Sequence, residues 1–170
     1  QETGRLPVDL PGTAARVDGG IRINPGQALV EDLDTLPFPD FGLIDQESYA
    51  GAWGMAGYTQ PARMVPLVSS RGCPYRCFYC HNLFGKRLRR RSAEHLVAEM
   101  RHHVERRGIM HFDVVDDCFN LPASAAKEVL RLIIRELPGV KLNFPNGLRA
   151  DQLDEEMLDL FEQAGTVFVS

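Results

Sequence analysis

The sequence lacks the features that mark several common protein classes. Its 170 residues include only four cysteines and one tryptophan, and no apolar run approaches the roughly 20 residues that a membrane-spanning helix needs. Four cysteines are too few and too clustered for a disulfide scaffold, so we expect a reducing, cytoplasmic location. The formal net charge is −4, which argues against a protein built mainly to coat nucleic acid.

Both ends of the sequence look cut. The chain begins with Gln1, and the β-prone residues 166–170 stop without a following turn. We therefore expect a fragment of a larger protein, inactive on its own. Such a fragment would expose a sheet edge after its last strand.

Residues 1–63 predict an interdomain linker that contains a hairpin. Short β-prone runs flank Asp18, Gly19 and Gly20, which supply the positive φ angles of a tight turn. Between Glu31 and Glu47 the chain has six acidic residues and no basic one. The prolines of this stretch exclude a helix, so it predicts an ordered linker or a lid over a sheet edge.

Residues 64–170 alternate strands with helices at regular spacing. Four apolar, β-prone runs predict the strands: MVPLVSS, HFDVV, VKLNF and TVFVS. Residues with capping chemistry mark the three helices between them: Ser92 and Gly108 for the first, Pro122 in the first turn of the second, and Asp151 or Asp154 at the start of the third. This order predicts an α/β fold with about four parallel strands and crossover helices, from a doubly wound sheet or a partial barrel.

Three of the four cysteines lie together in the segment SSRGCPYRCFYCHN, spaced as Cys73-x3-Cys77-x2-Cys80. Clustered thiolates select zinc, copper(I) or an iron–sulfur cluster. A structural zinc site takes four protein ligands, usually as two pairs. No second pair is present, His81 is a poor partner for its neighbour Cys80, and Cys118 is distant. A [4Fe–4S] cluster held at three irons would leave the fourth open for an exogenous ligand.

With Tyr79 before the third cysteine, this motif resembles the signature of the radical S-adenosylmethionine (SAM) enzymes. The resemblance implies a [4Fe–4S] cluster on Cys73, Cys77 and Cys80, whose open iron chelates SAM and whose electron releases a 5′-deoxyadenosyl radical. It also implies that residues 64–170 form the N-terminal half of a (β/α) barrel. Tyr79 would lie against the adenine, and an electron donor such as flavodoxin or ferredoxin would reduce the cluster.

Polar residues follow the second and third predicted strands. Asp116 and Asp117 come after HFDVV, and Asn146 and Arg149 come after VKLNF. Chemistry in parallel αβ barrels gathers at these strand ends. By the resemblance, the carboxylates would meet the SAM amino group, although a glycine-rich stretch ending in Glu is usual there. Arg149 could pair with the SAM carboxylate, or with the acidic third helix.

Longer segments indicate which class of radical SAM protein the sequence resembles. VEDLDTLPFPDF, the cysteine segment, VVDDCF and LRADQLDEEMLDLFEQAG together resemble the cobalamin-binding class of radical SAM proteins. That resemblance implies a cobalamin held by a domain outside these residues. It implies methyl transfer to an unactivated carbon of a small molecule, or a radical rearrangement or cyclisation.

Two other functions stay open. One is a radical SAM enzyme without cobalamin, such as a methylthiotransferase, which a second set of cysteines upstream would favour. The other is a zinc module that grips RNA through the basic residues 85–108, where eight Lys or Arg face three Glu. A fourth ligand on the metal would favour the zinc module, while a solvated helix face is the ordinary explanation for such a basic run.

Overall fold

The computed structural model describes residues 10–26, 29–44, 63–81 and 83–170. The chain divides into two compact units, residues 1–31 and residues 32–170. The predicted linker boundary at residue 63 stays a prediction. Residues 45–62 of that predicted linker lie outside the described residues.

The first unit contains the predicted hairpin. Strand β1 (Ala14–Val17) pairs antiparallel with β2 (Gly20–Ile23). The turn between them consists of Asp18, with φ of 50°, and Gly19, with φ of 81°. Two successive residues in the left-handed region match the right-handed twist of the strands that they join. The hairpin prediction is confirmed.

The second unit is built on a parallel sheet. In chain order its elements are β3 (Met64–Leu67), β4 (Ser70–Arg71), β5 (Arg89–Arg90), α1 (Ala93–Arg107), β6 (His111–Val114), α2 (Ala123–Glu136), β7 (Lys141–Phe144), α3 (Glu155–Gln163) and β8 (Thr166–Val169). Four strands form the parallel sheet in the order β3-β6-β7-β8, while β4 and β5 form a separate antiparallel ladder. The predicted α/β class with four parallel strands is confirmed.

The helix boundaries follow from capping chemistry. Ser92 accepts a hydrogen bond from an N–H in the first turn of α1, and Gly108 ends that helix with φ of 63°. Asp154, and not Asp151, caps α3. Pro122 is the N-cap of α2, one residue before the predicted position in its first turn. Among the described residues, no helix is long and apolar enough to cross a membrane.

The three helices contribute to one buried core with the sheet. Alternate strand residues belong to this core: Val65 and Leu67 on β3, Phe112 and Val114 on β6, and Leu142 and Phe144 on β7. Full burial of one such side chain contributes about 1.5–3 kcal/mol. Because strand side chains alternate in direction, Asp113 and Asn143 lie on the other face of the sheet. They are buried neighbours in register, and the Asn143 amide donates to Asp113 at 2.7 Å.

Strand β8 forms an edge of this sheet, as expected. Its pairing with β7 contains a register shift between Leu142 and Asn143. Val167 and Val169 on this strand are about half exposed. The outer strand is therefore less covered than the three strands that carry the core.

The acidic, proline-containing segment packs against α1 within the second unit. Leu33 is fully buried, and the Asp34 carboxylate accepts the Ser92 N–H at 3.0 Å. Further along, the Phe41 ring contacts the His103 ring edge-on, with 5.5 Å between their centroids. Residues 32–44 are thus ordered by contacts with the first helix.

His103 is a buried histidine whose ring nitrogens have no hydrogen-bond partner within the described part of the chain. Its nearest carboxylate, on Glu99, already pairs with Arg91. Burial, and to a lesser extent the charges of the neighbouring His102 and Arg107, lower the pKa of His103 to about 4. The imidazole is therefore neutral at physiological pH.

We expect His103 to make the fold sensitive to mild acid. Its pKa of about 4 lies below the ordinary 6.5, so between these values the unfolded chain binds the extra proton and stability falls as pH is lowered. The loss reaches about 2 kcal/mol at pH 5. Denaturant unfolding at pH 7 and pH 5 measures it. The difference should shrink in His103→Phe and persist in His102→Phe; equal pH dependence in both variants contradicts the assignment.

Candidate functional site

The three clustered cysteines lie in a loop that is closed at its base. Strands β4 and β5 pair Ser70 with Arg90 and Arg71 with Arg89. We call the segment between them, residues 72–88, the cysteine loop. Since β4 begins three residues after the last residue of β3, the loop leaves from the carboxyl end of the first parallel strand. That end is where αβ barrels place their chemistry.

Side chains on the second arm of the cysteine loop bind carbonyls within the loop. The Lys86 ammonium donates to the Tyr75 carbonyl at 2.8 Å. The Arg89 guanidinium, which is buried, donates to the Phe84 carbonyl at 2.8 Å. These charge-assisted bonds satisfy backbone acceptors that the irregular loop leaves without ladder partners.

Gly72 allows the two arms of the loop to approach closely. Its φ is +88°, and a Cβ at this position would lie 2.4 Å from the Arg87 carbonyl oxygen and 3.1 Å from that of Gly85. Both obstacles are backbone atoms. Only glycine therefore fits immediately before the first cysteine of the motif.

The structure places the predicted ligands in one loop as free thiols. Cys73 is half-buried, whereas Cys77 and Cys80 are exposed. The described residues contain no group of three or more His, Cys, Asp or Glu side chains arranged to hold a metal ion, so the sulfurs do not converge. By donor chemistry the set still fits: three accessible thiols on one short loop are ligands that an iron–sulfur cluster takes.

Cys118 differs from the three loop cysteines. It is buried, and burial raises the pKa of its thiol to about 11, with the nearby Cys73 adding to the rise. The thiol therefore stays protonated at neutral pH. Since the thiolate is the form that binds metals, Cys118 packs as a small apolar residue.

The adjacent carboxylates Asp116 and Asp117 have different surroundings. Asp116 is fully buried and accepts the Ser69 N–H at 2.7 Å, the Ser70 hydroxyl at 2.7 Å and the Ser69 hydroxyl. Burial raises the pKa of Asp116, while these hydrogen bonds and the charge of Arg90 oppose the rise. Every acceptor oxygen of this carboxylate is engaged inside the protein.

Asp117 instead faces the cysteine loop. Its Oδ1 lies 3.3 Å from Nε2 of His81, the residue after the third cysteine. The other ring nitrogen of His81 accepts the N–H of Leu83 at 3.3 Å. A neutral imidazole protonated at Nε2 satisfies both contacts. Asp117 thus touches the loop at its tip, while Asp116 holds it at its base.

Arg149 joins the third strand end to the cysteine loop. Its guanidinium forms two hydrogen bonds of 2.9 Å to Asp151, which raises the pKa of Arg149 and lowers that of the carboxyl group. The same guanidinium lies 3.9 Å from the ring centroid of Tyr75. Asn146, which is exposed, donates to the carbonyls of Val115 and Asp116.

Tyr79 is exposed, with 80% of its surface accessible, and contacts only Phe78 among the ring pairs of the described residues. Its neighbour Phe78 is 98% exposed. Large apolar rings exposed to this degree beside the second and third cysteines are available to a ligand.

Asn120 and Arg90 hold this region together, and sequence reasoning missed both. The Asn120 side chain pairs with the backbone of Arg149, accepting its N–H at 2.9 Å and donating to its carbonyl at 2.8 Å. Arg90 donates to the carbonyls of Phe119 and Leu121. Nothing local signals either role, since Arg90 sits in a basic run and Asn120 in a loop.

Comparison with known proteins identifies the family. The sequence profile of the Radical SAM superfamily matches residues 67–170. The chain belongs to the radical SAM superfamily. The match begins at the last residue of β3 and includes the cysteine loop and all later elements.

Individual relatives of this radical SAM chain are much longer than it is. It is 31% identical to the cytidylyl-2-hydroxyethylphosphonate methyltransferase of Streptomyces wedmorensis, over 86% of the chain and 28% of that protein. It is 27% identical to the anaerobic magnesium-protoporphyrin IX monomethyl ester cyclase of Rubrivivax gelatinosus, over 92% of the chain and 27% of that protein. The chain thus spans little more than a quarter of either relative.

A solved structure shares the fold of this radical SAM chain. It is the methyltransferase TsrM of Kitasatospora setae with tryptophan substrate and a SAM analogue bound, with a TM-score of 0.67 and 23% identity. The match covers 97% of this chain and 32% of that one. The fold expected from the sequence resemblance, part of a radical SAM barrel, is therefore confirmed.

We expect Gly72→Ala to deform the cysteine loop and lower its iron binding, and Gly108→Ala to leave both unchanged. The added methyl group meets the Arg87 carbonyl at 2.4 Å, so the loop must deform, at a cost of about 1–3 kcal/mol. Gly108→Ala is the matched control, because its φ is also positive but no atom lies within 4 Å of the new Cβ. Iron bound per chain after anaerobic reconstitution should fall in Gly72→Ala alone. Equal iron binding in both variants contradicts this account.

Proposed function

We propose that this protein is a radical SAM enzyme that carries a [4Fe–4S] cluster on Cys73, Cys77 and Cys80. The observation that carries the proposal is the cysteine loop: three accessible thiols at the carboxyl end of the first strand of a parallel sheet. The family match over residues 67–170 supports it independently. When bound, the cluster supplies the electron for the reductive cleavage of SAM.

The chain's own residues would bind and orient SAM. Asp117 is the better candidate for the SAM amino group, because every acceptor oxygen of Asp116 is already engaged. Asn146 is exposed and donates to the backbone carbonyl of Asp116, the residue before Asp117. Tyr79, with its ring exposed, would pack against the adenine.

Arg149 is the candidate for the SAM carboxylate, but it already has a carboxylate partner. The Asp151 pair would have to open or be shared, since both bonds of the planar fork go to Asp151. Whether that pair opens or is shared, the Arg149 guanidinium stays beside the cysteine loop because it stacks on the Tyr75 ring. Among the candidates for binding SAM, Arg149 is therefore the one whose hydrogen-bonding groups are already in use.

The proposed reaction of the whole protein is cobalamin-dependent methyl transfer to a small molecule. Three relatives carry the name methyltransferase: one from S. wedmorensis, one from Pyrococcus horikoshii, and the bacteriochlorophyllide d C-12(1)-methyltransferase of Chlorobaculum tepidum. A structure of TsrM holds cobalamin together with a [4Fe–4S] cluster. Cobalamin would be held outside residues 1–170.

A radical cyclisation or rearrangement is the second candidate reaction. The relative from R. gelatinosus is named a cyclase, and its 27% identity to this chain lies between those of the methyltransferases from S. wedmorensis and C. tepidum, 31% and 25%. Either reaction needs an electron donor such as flavodoxin or ferredoxin. The accessible thiols of the loop favour the reducing cytoplasm as the location.

Substitution of the cysteines tests the cluster assignment. In the complete gene product, anaerobically reconstituted with iron and sulfide, we expect Cys73→Ser, Cys77→Ser and Cys80→Ser each to lower SAM cleavage by more than about 100-fold, because each removes a cluster ligand. Cys118→Ala is the matched control and should retain the cluster, since that thiol is buried and protonated. Electron paramagnetic resonance of the reduced protein, with and without SAM, reports the cluster.

The outcome distinguishes the proposal from its rivals. A [4Fe–4S]⁺ signal that changes shape on addition of SAM supports it. A colourless protein that holds one zinc and ignores SAM would leave a structural zinc module. A second cluster on further cysteines would favour a cobalamin-independent methylthiotransferase.

A further inference from the structure

We propose that Asp116 is a positioning residue that fixes the base of the cysteine loop, and with it the cluster, relative to the SAM-binding end of β6. This inference rests on the proposed function. It gives the two neighbouring carboxylates separate tasks: Asp117 binds the SAM amino group, and Asp116 fixes the position of the cluster.

The first support is the set of bonds that the Asp116 carboxylate accepts. The Ser69 N–H, at 2.7 Å, and the Ser70 hydroxyl, at 2.7 Å, come from the chain that leads into the loop. The Ser69 hydroxyl is a third donor. One buried side chain at the end of β6 thus fixes the two residues that precede the first cysteine by three and four positions.

The second support is that the returning arm of the loop is tied to the same segment. Arg90, on β5, donates to the carbonyls of Phe119 and Leu121 at 2.7 and 2.9 Å, and its guanidinium lies over the Phe119 ring at 5.6 Å. Its charge also stabilises the Asp116 carboxylate. Both arms of the loop base are therefore fastened to residues 116–121.

The third support is the position of Asp117, the residue after the anchor. Its carboxylate reaches His81 beside the third cysteine, so the segment that holds the base also touches the tip. The distance between a cluster ligand and this strand end is then set through two adjacent residues, Asp116 and Asp117. Displacement of reacting groups by about 1 Å can cost 100-fold in rate, so such an anchor acts on chemistry as well as on stability.

Asp116→Asn in the complete gene product tests the inference. Asn offers one acceptor oxygen in place of two and no charge for Arg90. We expect SAM cleavage per bound cluster to fall about tenfold, the effect of losing a charge-assisted hydrogen bond. We also expect the signal of the reduced cluster without SAM to change. A role in stability alone would lower the fraction of folded protein and leave both of these per-cluster quantities unchanged.

Two matched variants separate the roles. Asp113→Asn alters a buried carboxylate on β6 that accepts a hydrogen bond from Asn143, and should leave the per-cluster quantities unchanged. Asp117→Asn should raise the KM for SAM and leave the SAM-free cluster signal as in the wild type. A change in that signal equal to that of Asp116→Asn would overturn the separation of tasks.

If Asp116→Asn does not fold, Ser70→Ala provides a second test of the inference. It removes one hydroxyl from the anchor and no charge, so we expect a milder fall of about threefold in the same per-cluster rate. Wild-type rates and signals in Ser70→Ala, and in Asp116→Asn if it folds, would overturn the inference. A wild-type protein without a SAM-responsive cluster signal would instead overturn the proposed function.

Discussion

A buried carboxylate is the constraint on which the rest of the site depends. Removing an ionised group from water is costly unless the protein supplies hydrogen bonds and an opposite charge. Around Asp116 the chain provides three donors and the guanidinium of Arg90. To do so, two arms of one loop and the ends of two strands must converge on one point. These bonds hold the base of the cysteine loop beside the end of β6.

Several charged side chains of the basic residues 85–108 make their contacts inside the protein. Three consecutive arginines follow the loop, and each binds a different internal partner. Arg89 donates to a loop carbonyl, Arg90 to carbonyls after β6, and Arg91 to the buried Glu99 carboxylate. An arginine can bury its stem and fork when its donors are satisfied. These three residues therefore build the loop base, and offer little to a phosphate backbone.

Much of the fold could be predicted because its signals are local. Ser92 and Gly108 mark the ends of α1 by chemistry that acts within one turn, and the spacing of Cys73, Cys77 and Cys80 is visible without a structure. The roles of Asp116 and Asp117 could not be separated in this way. Adjacent residues at a strand end point in different directions, and which one is buried depends on Ser69, 47 positions away.

The long sequence separation between Asp116 and the serines that it binds has a consequence for the order of folding. The cysteines are neighbours in sequence, but the bonds that fix their loop join residues 46 and 47 positions apart. Contacts of that span form only after the intervening chain has closed, which delays them relative to local turns and helices. The loop therefore gains its anchored position only once α1 is in place and β6 has paired with β3. A nascent chain therefore exposes its thiols before the bonds that anchor their loop can form.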